Sequence, residues 1–136
     1  MGLQEQERID LVKYRLEKAN ATLAEVSVQF ENQFYRTAAN RLYYACFYAA
    51  TALLINNGYE THTHSGVKTL LGLHFIKENK LDKSYGKLYD TLFNLRQTGD
   101  YEDWVYLNEE DVLPLLKPAE NFISEIEKLV NLNNDN

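Results

Sequence analysis

The sequence predicts an all-α protein: an up-and-down four-helix bundle core with one additional helix. Glycine and proline are scarce, at 6 and 2 of 136 residues, which favours long helices over a turn-rich β fold. Apolar residues recur at steps of three and four, the spacing of one helix face. Connections between these segments are short, as between antiparallel bundle neighbours. A chain of this length can bury a core of its own, so we expect a single domain over residues 1–136.

Charge and cysteine content narrow the function classes. The net charge of −6 argues against non-specific nucleic-acid binding, which needs lysine and arginine against phosphates, but allows a small local basic site. The single cysteine, Cys46, cannot form an intrachain disulfide and is expected to be an inert buried thiol. The polar start carries no signal-peptide pattern, so we expect a cytoplasmic protein. The longest apolar run, 42–55, is shorter than the roughly 20 residues of a membrane span and predicts a buried helix.

The first two helices are predicted over Gln4–Val28 and Phe34–Asn57. An apolar stripe defines the first: Ile9, Val12, Leu16, Ala19, Leu23 and Val26. The second is apolar on nearly every face and should be the most buried element. Gly58 follows it as a plausible C′ residue.

Two N-cap candidates mark the next helices. After a polar loop over 59–64, Ser65 is expected to cap a third helix reaching about Asn79. Ser84 is expected to cap a fourth helix that stops near Gly99.

The last helix has two prolines near its start. Residues 100–108 read as an ordered acidic and aromatic loop. Because proline fits a first helical turn and disrupts interiors, Pro114 and Pro118 predict a kink or short separate turn before Pro118 and a regular helix after it. The exact start of that helix cannot be fixed from the sequence. The polar tail, 131–136, is expected to fray.

Three ordered motifs carry a family resemblance. They are NRLYYACFYAATALL from Asn40, HSGVKTLLGLHFIK from His64, and LRQTGDY over 95–101. In order and spacing they resemble the small stand-alone prokaryotic HEPN proteins (higher eukaryotes and prokaryotes nucleotide-binding), over nearly the whole chain. The resemblance implies a helical-bundle homodimer with a cleft lined by polar motif positions. Many members are ribonucleases, often toxins neutralised by a small nucleotidyltransferase; others bind nucleotides or are non-catalytic.

The nuclease motif of that family is degraded here. Nuclease members place histidine after an arginine and four to six intervening residues. None of the five arginines has this spacing: Arg8, Arg15, Arg36, Arg41 and Arg96. Tyr101 stands at the fifth position after Arg96, and with a reference pKa of about 10 tyrosine is a poor base. Whether the protein is an enzyme stays open; if it is, Arg96, Asp100 and Tyr101 are the catalytic candidates.

Each of the two motif arginines has a functional and a structural interpretation. Arg41 lies on an otherwise apolar helix, so its guanidinium either contacts a phosphate or nucleotide in the cleft, or forms an ion pair, with Asp100 as one partner, and stacks on Tyr44. Arg96 either serves the site or pairs with Asp100 near a helix end.

The backbone at Gly99 determines whether Asp100 and Tyr101 can lie beside Arg96. If the helix ends there, Asp100 and Tyr101 can fold back beside Arg96. On a continuous helix Tyr101 would point about 140° away from Arg96.

Other polar and aromatic residues complete the candidate set. His64 matches the family position and is expected either to cap a helix or to contact the cleft. His62, His64 and His74 lack further ligands at metal-site spacing, so neither a metal nor a cofactor is predicted. Tyr44 and Tyr48 are interpreted as core packing or base-stacking residues, and Tyr101, Trp104 and Tyr106 as loop residues for packing or partner contact. The binding candidates are therefore Arg41, Tyr44, His64, Arg96 and Tyr101.

The family resemblance implies a nucleotide- or RNA-related binding or regulatory module. It would pair with a nucleotidyltransferase in a toxin–antitoxin-like setting, with Tyr101 or Tyr106 as the hydroxyl that the partner modifies. The alternatives are a metal-independent ribonuclease toxin and a purely structural dimerising bundle. The RNA or nucleotide involved cannot be read from the chain.

Overall fold

Helices form nearly all of the part of the chain that the computed structural model describes, and no strand occurs in that part. It covers residues 4–101 and 106–134, without the side chains of 97–101 and 132–134. The helices are α1 (Glu5–Ala24), α2 (Val26–Glu31), α3 (Tyr35–Asn56), α4 (His64–Leu71), α5 (Lys83–Tyr101), α6 (Glu109–Val112) and α7 (Leu116–Asn134). The predicted all-α helical bundle is confirmed. No described helix is long and apolar enough to cross a membrane.

Helix α3 lies at the centre of the bundle, where it packs against α1, α5 and α7. Its predicted burial is confirmed. Four alanines on one broad face are fully buried: Ala38, Ala45, Ala49 and Ala52. Cys46 is also fully buried, and burial raises the pKa of its thiol well above the ordinary value. That environment fits the predicted inert thiol, because the thiolate is the reactive form.

The first predicted helix is divided in two. It ends at Ala24, and α2 begins at Val26. At the junction the Glu25 N–H donates to the Thr22 carbonyl three residues back, a tightening common at helix ends. The chain then turns at Gln33, which has a positive φ of 60°.

The third helix begins with a different cap from the one predicted. Thr63, not Ser65, is the N-cap: its hydroxyl accepts a 2.9 Å hydrogen bond from the Gly66 N–H. Gly66 makes the close approach possible, because a Cβ there would lie 2.7 Å from the Thr63 hydroxyl oxygen and would clash with the Thr61 hydroxyl. The consequence is that His64 becomes the first residue of α4.

After Leu71 the backbone widens into one π turn, Gly72–Ile76, in which the Lys77 N–H donates to the Gly72 carbonyl. Helix α5 then begins at Lys83, two residues earlier than a cap at Ser84 predicts. The Asp82 carboxylate accepts from the Ser84 N–H at 2.9 Å and supplies the cap expected from Ser84.

The predicted helix end at Gly99 is wrong. The helical backbone runs through Gly99 to Tyr101. A glycine inside a helix costs only about 0.5–1 kcal/mol, so one glycine without a following proline does not have to end it. The turn on which an Arg96–Tyr101 corner depended is therefore absent.

The prolines act as predicted. Pro114 lies in a short 3-10 turn, Leu113–Leu115, and Pro118 in the first turn of α7. This confirms the expected separate turn followed by a regular helix. Helix α7 extends to Asn134, and residues 135–136 of the tail predicted to fray lie outside the described residues.

Candidate functional site

Two arginines from different helices meet at one tyrosine ring. The Arg41 Cζ on α3 and the Arg96 Cζ on α5 each lie 5.5 Å from the centroid of Tyr44. Both distances are within the range of cation–π attraction. Arg41 and Tyr44 are three positions apart on α3, so they share a helix face, whereas Arg96 reaches them through the packing of α5 on α3.

Among the described residues, the Arg41 guanidinium has only weak protein partners. It donates to the Asn40 side-chain carbonyl oxygen at 2.9 Å and lies 3.7 Å from a Glu25 carboxylate oxygen. The Arg41 and Glu25 side chains are 31% and 56% exposed, so water screens this pair. The alternative partner, Asp100, has a side chain outside the described residues. Arg41 thus keeps capacity to bind an anion.

Behind Tyr44, a hydrogen bond fixes His64 to the core. The Tyr43 hydroxyl and His64 Nδ1 are 2.7 Å apart, and Tyr43 is fully buried. The His64 ring stacks on Phe47 with centroids 4.4 Å apart. Arg96 lies over the Tyr43 ring as well, with its Cζ 5.5 Å from the centroid. Imidazole and guanidinium therefore contact the same pair of tyrosines.

This arrangement keeps both titratable rings neutral near pH 7. Burial, and then the positive charge of Arg96, lower the pKa of His64 below its ordinary 6.5. Burial raises the pKa of Tyr43 to about 12, although Arg96 partly opposes that rise. A neutral imidazole beside a permanent cation can accept a proton, and the cation can stabilise developing negative charge.

A third cation extends the cluster along α1. Lys18 Nζ lies 4.8 Å from the Tyr48 ring centroid and 5.7 Å from that of Tyr14, and Tyr48 in turn contacts Tyr44. Cations thus alternate with aromatic rings, a pattern typical of surfaces that stack bases and contact phosphates. The sequence analysis missed Lys18. The only local signal was its spacing of four residues from Tyr14.

Four of the five predicted binding residues come together in this cluster: Arg41, Tyr44, His64 and Arg96. Tyr43 was not among the candidates predicted from the sequence. The only signal in the sequence was that Tyr43 is the first tyrosine of the YY pair. Its hydrogen-bond partner, His64, is 21 positions away in the chain. The side chains of Asp100, Tyr101 and Trp104 lie outside the described residues. Tyr106 is 86% exposed and precedes α6.

The other histidines do not join this cluster. His74, in the π turn, stacks on Tyr59 with centroids 4.2 Å apart. His62 lies at an apolar cavity next to α1. Over the described ranges, no group of three or more His, Cys, Asp or Glu side chains is arranged to hold a metal ion.

The fold and cluster together define a helical-bundle protein with an arginine–aromatic site. A family model described as "HEPN domain" matches residues 12–129, and the chain belongs to this family. A UPF0332 protein of Thermotoga maritima is 37% identical over 124 residues, covering 91% of this chain and 94% of the relative. A Methanocaldococcus jannaschii protein named "Putative toxin MJ0605" is 34% identical, covering 83% and 84% of the two chains. An Archaeoglobus fulgidus UPF0332 protein is 29% identical and covers 92% and 99%.

Proposed function

We propose that this protein is a nucleotide- or RNA-binding regulatory module of a toxin–antitoxin-like pair, whose partner is a nucleotidyltransferase. One observation carries the proposal: Arg41 and Arg96 converge on Tyr44 beside His64. Two guanidiniums can hold phosphate oxygens in a forked geometry, and a partly buried tyrosine ring can stack on a base. Family membership and the toxin name of the M. jannaschii relative support the setting.

The charge of the whole chain limits the ligand. At a net charge of −6, long-range attraction for nucleic acid is absent, so binding must come from the local cluster. That favours a nucleotide or a few unpaired RNA residues over a duplex, whose recognition needs an extended basic surface. We further propose a cytoplasmic homodimer in which two such clusters share a cleft.

Binding of a short RNA tests this proposal. We expect a fluorescein-labelled single-stranded hexaribonucleotide to bind wild-type protein, with a Kd that rises roughly tenfold or more in Arg41→Gln and in Arg96→Gln. Arg8→Gln is the matched control, because Arg8 pairs with Glu5 on the exposed N-terminal turn of α1. Equal affinity in all four proteins would contradict the site. Light scattering of the same samples measures the oligomeric state.

The partner would act on a tyrosine near the end of α5 or in the loop after it. The tyrosine oxygen would attack the α-phosphorus of a nucleoside triphosphate, and pyrophosphate would leave. Tyr106 is suitable because its side chain is 86% exposed, and Tyr101 remains the second candidate. Co-expression with a nucleotidyltransferase encoded beside this gene, followed by intact-mass analysis, tests this step. We expect a nucleotide adduct that is lost in Tyr106→Phe or Tyr101→Phe. An unmodified chain and no co-purified complex would argue against the partner.

A second function is favoured by the position of His64. Although no histidine follows Arg96 at nuclease spacing, α4 delivers a neutral imidazole to the tyrosine pair that Arg96 covers. A metal-independent ribonuclease could use His64 as the base for the 2′-hydroxyl and Arg96 as the phosphate cation. RNA cleavage by wild type that is abolished in both His64→Gln and Arg96→Gln would establish it. No cleavage would leave the binding module as the function, and cleavage unchanged in both variants would rule out His64 and Arg96 as catalytic residues.

A further inference from the structure

Phe47, whose ring stacks on His64, also lines a concave site that is separate from the arginine cluster. A cavity of about 460 Å³ opens between α1, α3 and the loop that precedes α4. Its apolar wall consists of Leu11, Phe47, Leu54, Ile55 and Val67. The volume falls within the roughly 300–1,000 Å³ typical of small-molecule sites, which are also mostly apolar with few polar groups.

One cation lines this apolar space. Arg15 reaches it from α1, and its Nε is buried without a hydrogen-bond partner among the described residues. No described carboxylate forms an ion pair with Arg15 either. A buried guanidinium donor without a partner is costly, whereas an anion in the cavity would satisfy its planar fork. Arg41 and Arg96, in contrast, already lie over tyrosine rings.

We infer that this cavity binds a small organic monoanion, with its carboxylate or sulfonate head on Arg15 and its apolar body along Phe47, Leu54 and Ile55. A second carboxylate at the cavity limits the charge of the head group to one. Glu60 also lines the cavity, and its carboxylate would repel a second negative charge. A triphosphate is therefore disfavoured, which separates this site from the nucleotide cluster proposed for Arg41 and Arg96.

The fluorescent monoanion 1-anilinonaphthalene-8-sulfonate is a suitable probe, because it joins a sulfonate to an aromatic body. We expect saturable 1:1 binding to the folded wild-type protein, with a shift of the Arg15 Nε–H resonance in proton–nitrogen NMR spectra. In Arg15→Gln the Kd should rise roughly tenfold or more, since one charge-assisted contact is lost. Arg8→Gln should bind as wild type does.

A second variant guards against a folding defect in Arg15→Gln. Ile55→Trp fills part of the cavity with an indole ring and leaves Arg15 in place. This variant should abolish probe binding without lowering Tm. Probe binding that survives both substitutions would overturn the site, as would a wild-type protein that does not bind.

Competition defines the ligand class. Decanoate should displace the probe, whereas ATP at the same concentration should not. Displacement by ATP but not by decanoate would overturn the monoanion assignment. Failure of both competitors would mean binding of an adventitious probe only, and would equally overturn it.

Discussion

The arginine–aromatic cluster and the cavity, which meet at Phe47, show arginine in two different environments. In the cluster Arg41 and Arg96 lie over Tyr44, and Arg96 also over Tyr43. Arg15 instead lines an apolar cavity, with its Nε buried and no described partner. The aromatic faces partly compensate the charges of the first pair, while the second environment offers no such compensation. A guanidinium over aromatic rings can therefore serve both stability and binding, whereas the role of Arg15 is more simply explained by a ligand.

The largest expected effect comes from removing the ring that organises the arginine–aromatic cluster. Tyr43→Ala should lower the free energy of unfolding by roughly 3–5 kcal/mol, as large-to-small aromatic substitutions in cores do. It should also release His64, which loses its 2.7 Å hydrogen bond. Urea denaturation measures the loss. Tyr14→Ala, at a tyrosine that is 54% exposed, is the control and should stay within about 0.5 kcal/mol of wild type. Equal losses would mean that Tyr43 does not organise the cluster.

Gly66 packs against residues of both regions. Its neighbour Thr61 lines the cavity, and Thr63, the N-cap of α4, sets the start of that helix at His64. Gly66→Ala should destabilise by roughly 1–3 kcal/mol, since a Cβ would overpack against the two threonine hydroxyls. Helix propensity alone predicts the opposite sign. Gly72→Ala meets no atom within 4 Å and should be neutral or stabilising by up to about 1 kcal/mol. Thermal melts of the two variants should therefore move in opposite directions; a shared upward shift would contradict the proposed clash.

Gly66 also illustrates what the sequence could predict. Periodicity located the helices, and residue type located Gly58, with its positive φ, as the C′ residue of α3 and the proline-containing turn before α7. It could not choose between Ser65 and Thr63 as cap, because both are good cap residues and the space left by Gly66 decides. Nor could it foresee that α5 continues through Gly99. The motifs brought Arg41, Tyr44, His64 and Arg96 forward as candidates, but the contacts of Tyr43 and Lys18 depend on helix packing, which no local pattern encodes.

A smaller effect that distinguishes the two arginine environments is the contribution of His64 to the pH dependence of stability. The pKa of His64 is lowered in the folded protein, first by burial and then by Arg96. As pH falls through about 6.5, the unfolded chain takes up a proton that folded His64 still refuses, so this residue makes stability decline until the lower folded pKa is passed. An NMR titration of the His64 ring measures the folded value.

Arg96→Gln should raise the pKa of His64 toward its ordinary value because the nearby positive charge is removed. Arg15→Gln is the matched control and should leave that pKa unchanged, since Arg15 lines the cavity and is not among the causes of the shift. A larger shift in Arg15→Gln than in Arg96→Gln would show that the two environments are not electrically separate.

The smallest stability effect is expected at Arg41, where the structural interpretation predicts a large one. The Glu25 carboxylate is 3.7 Å away and more than half exposed, and such surface pairs contribute at most about 1 kcal/mol. Arg41→Gln and Glu25→Gln should therefore each lower the free energy of unfolding by less than about 1 kcal/mol in urea, with a similarly small coupling in the double variant. A loss of more than about 2 kcal/mol in Arg41→Gln would place this arginine in the scaffold. A small loss, together with weakened RNA binding, would mean that the charge on α3 is kept for a ligand, because the folded chain gains little from it.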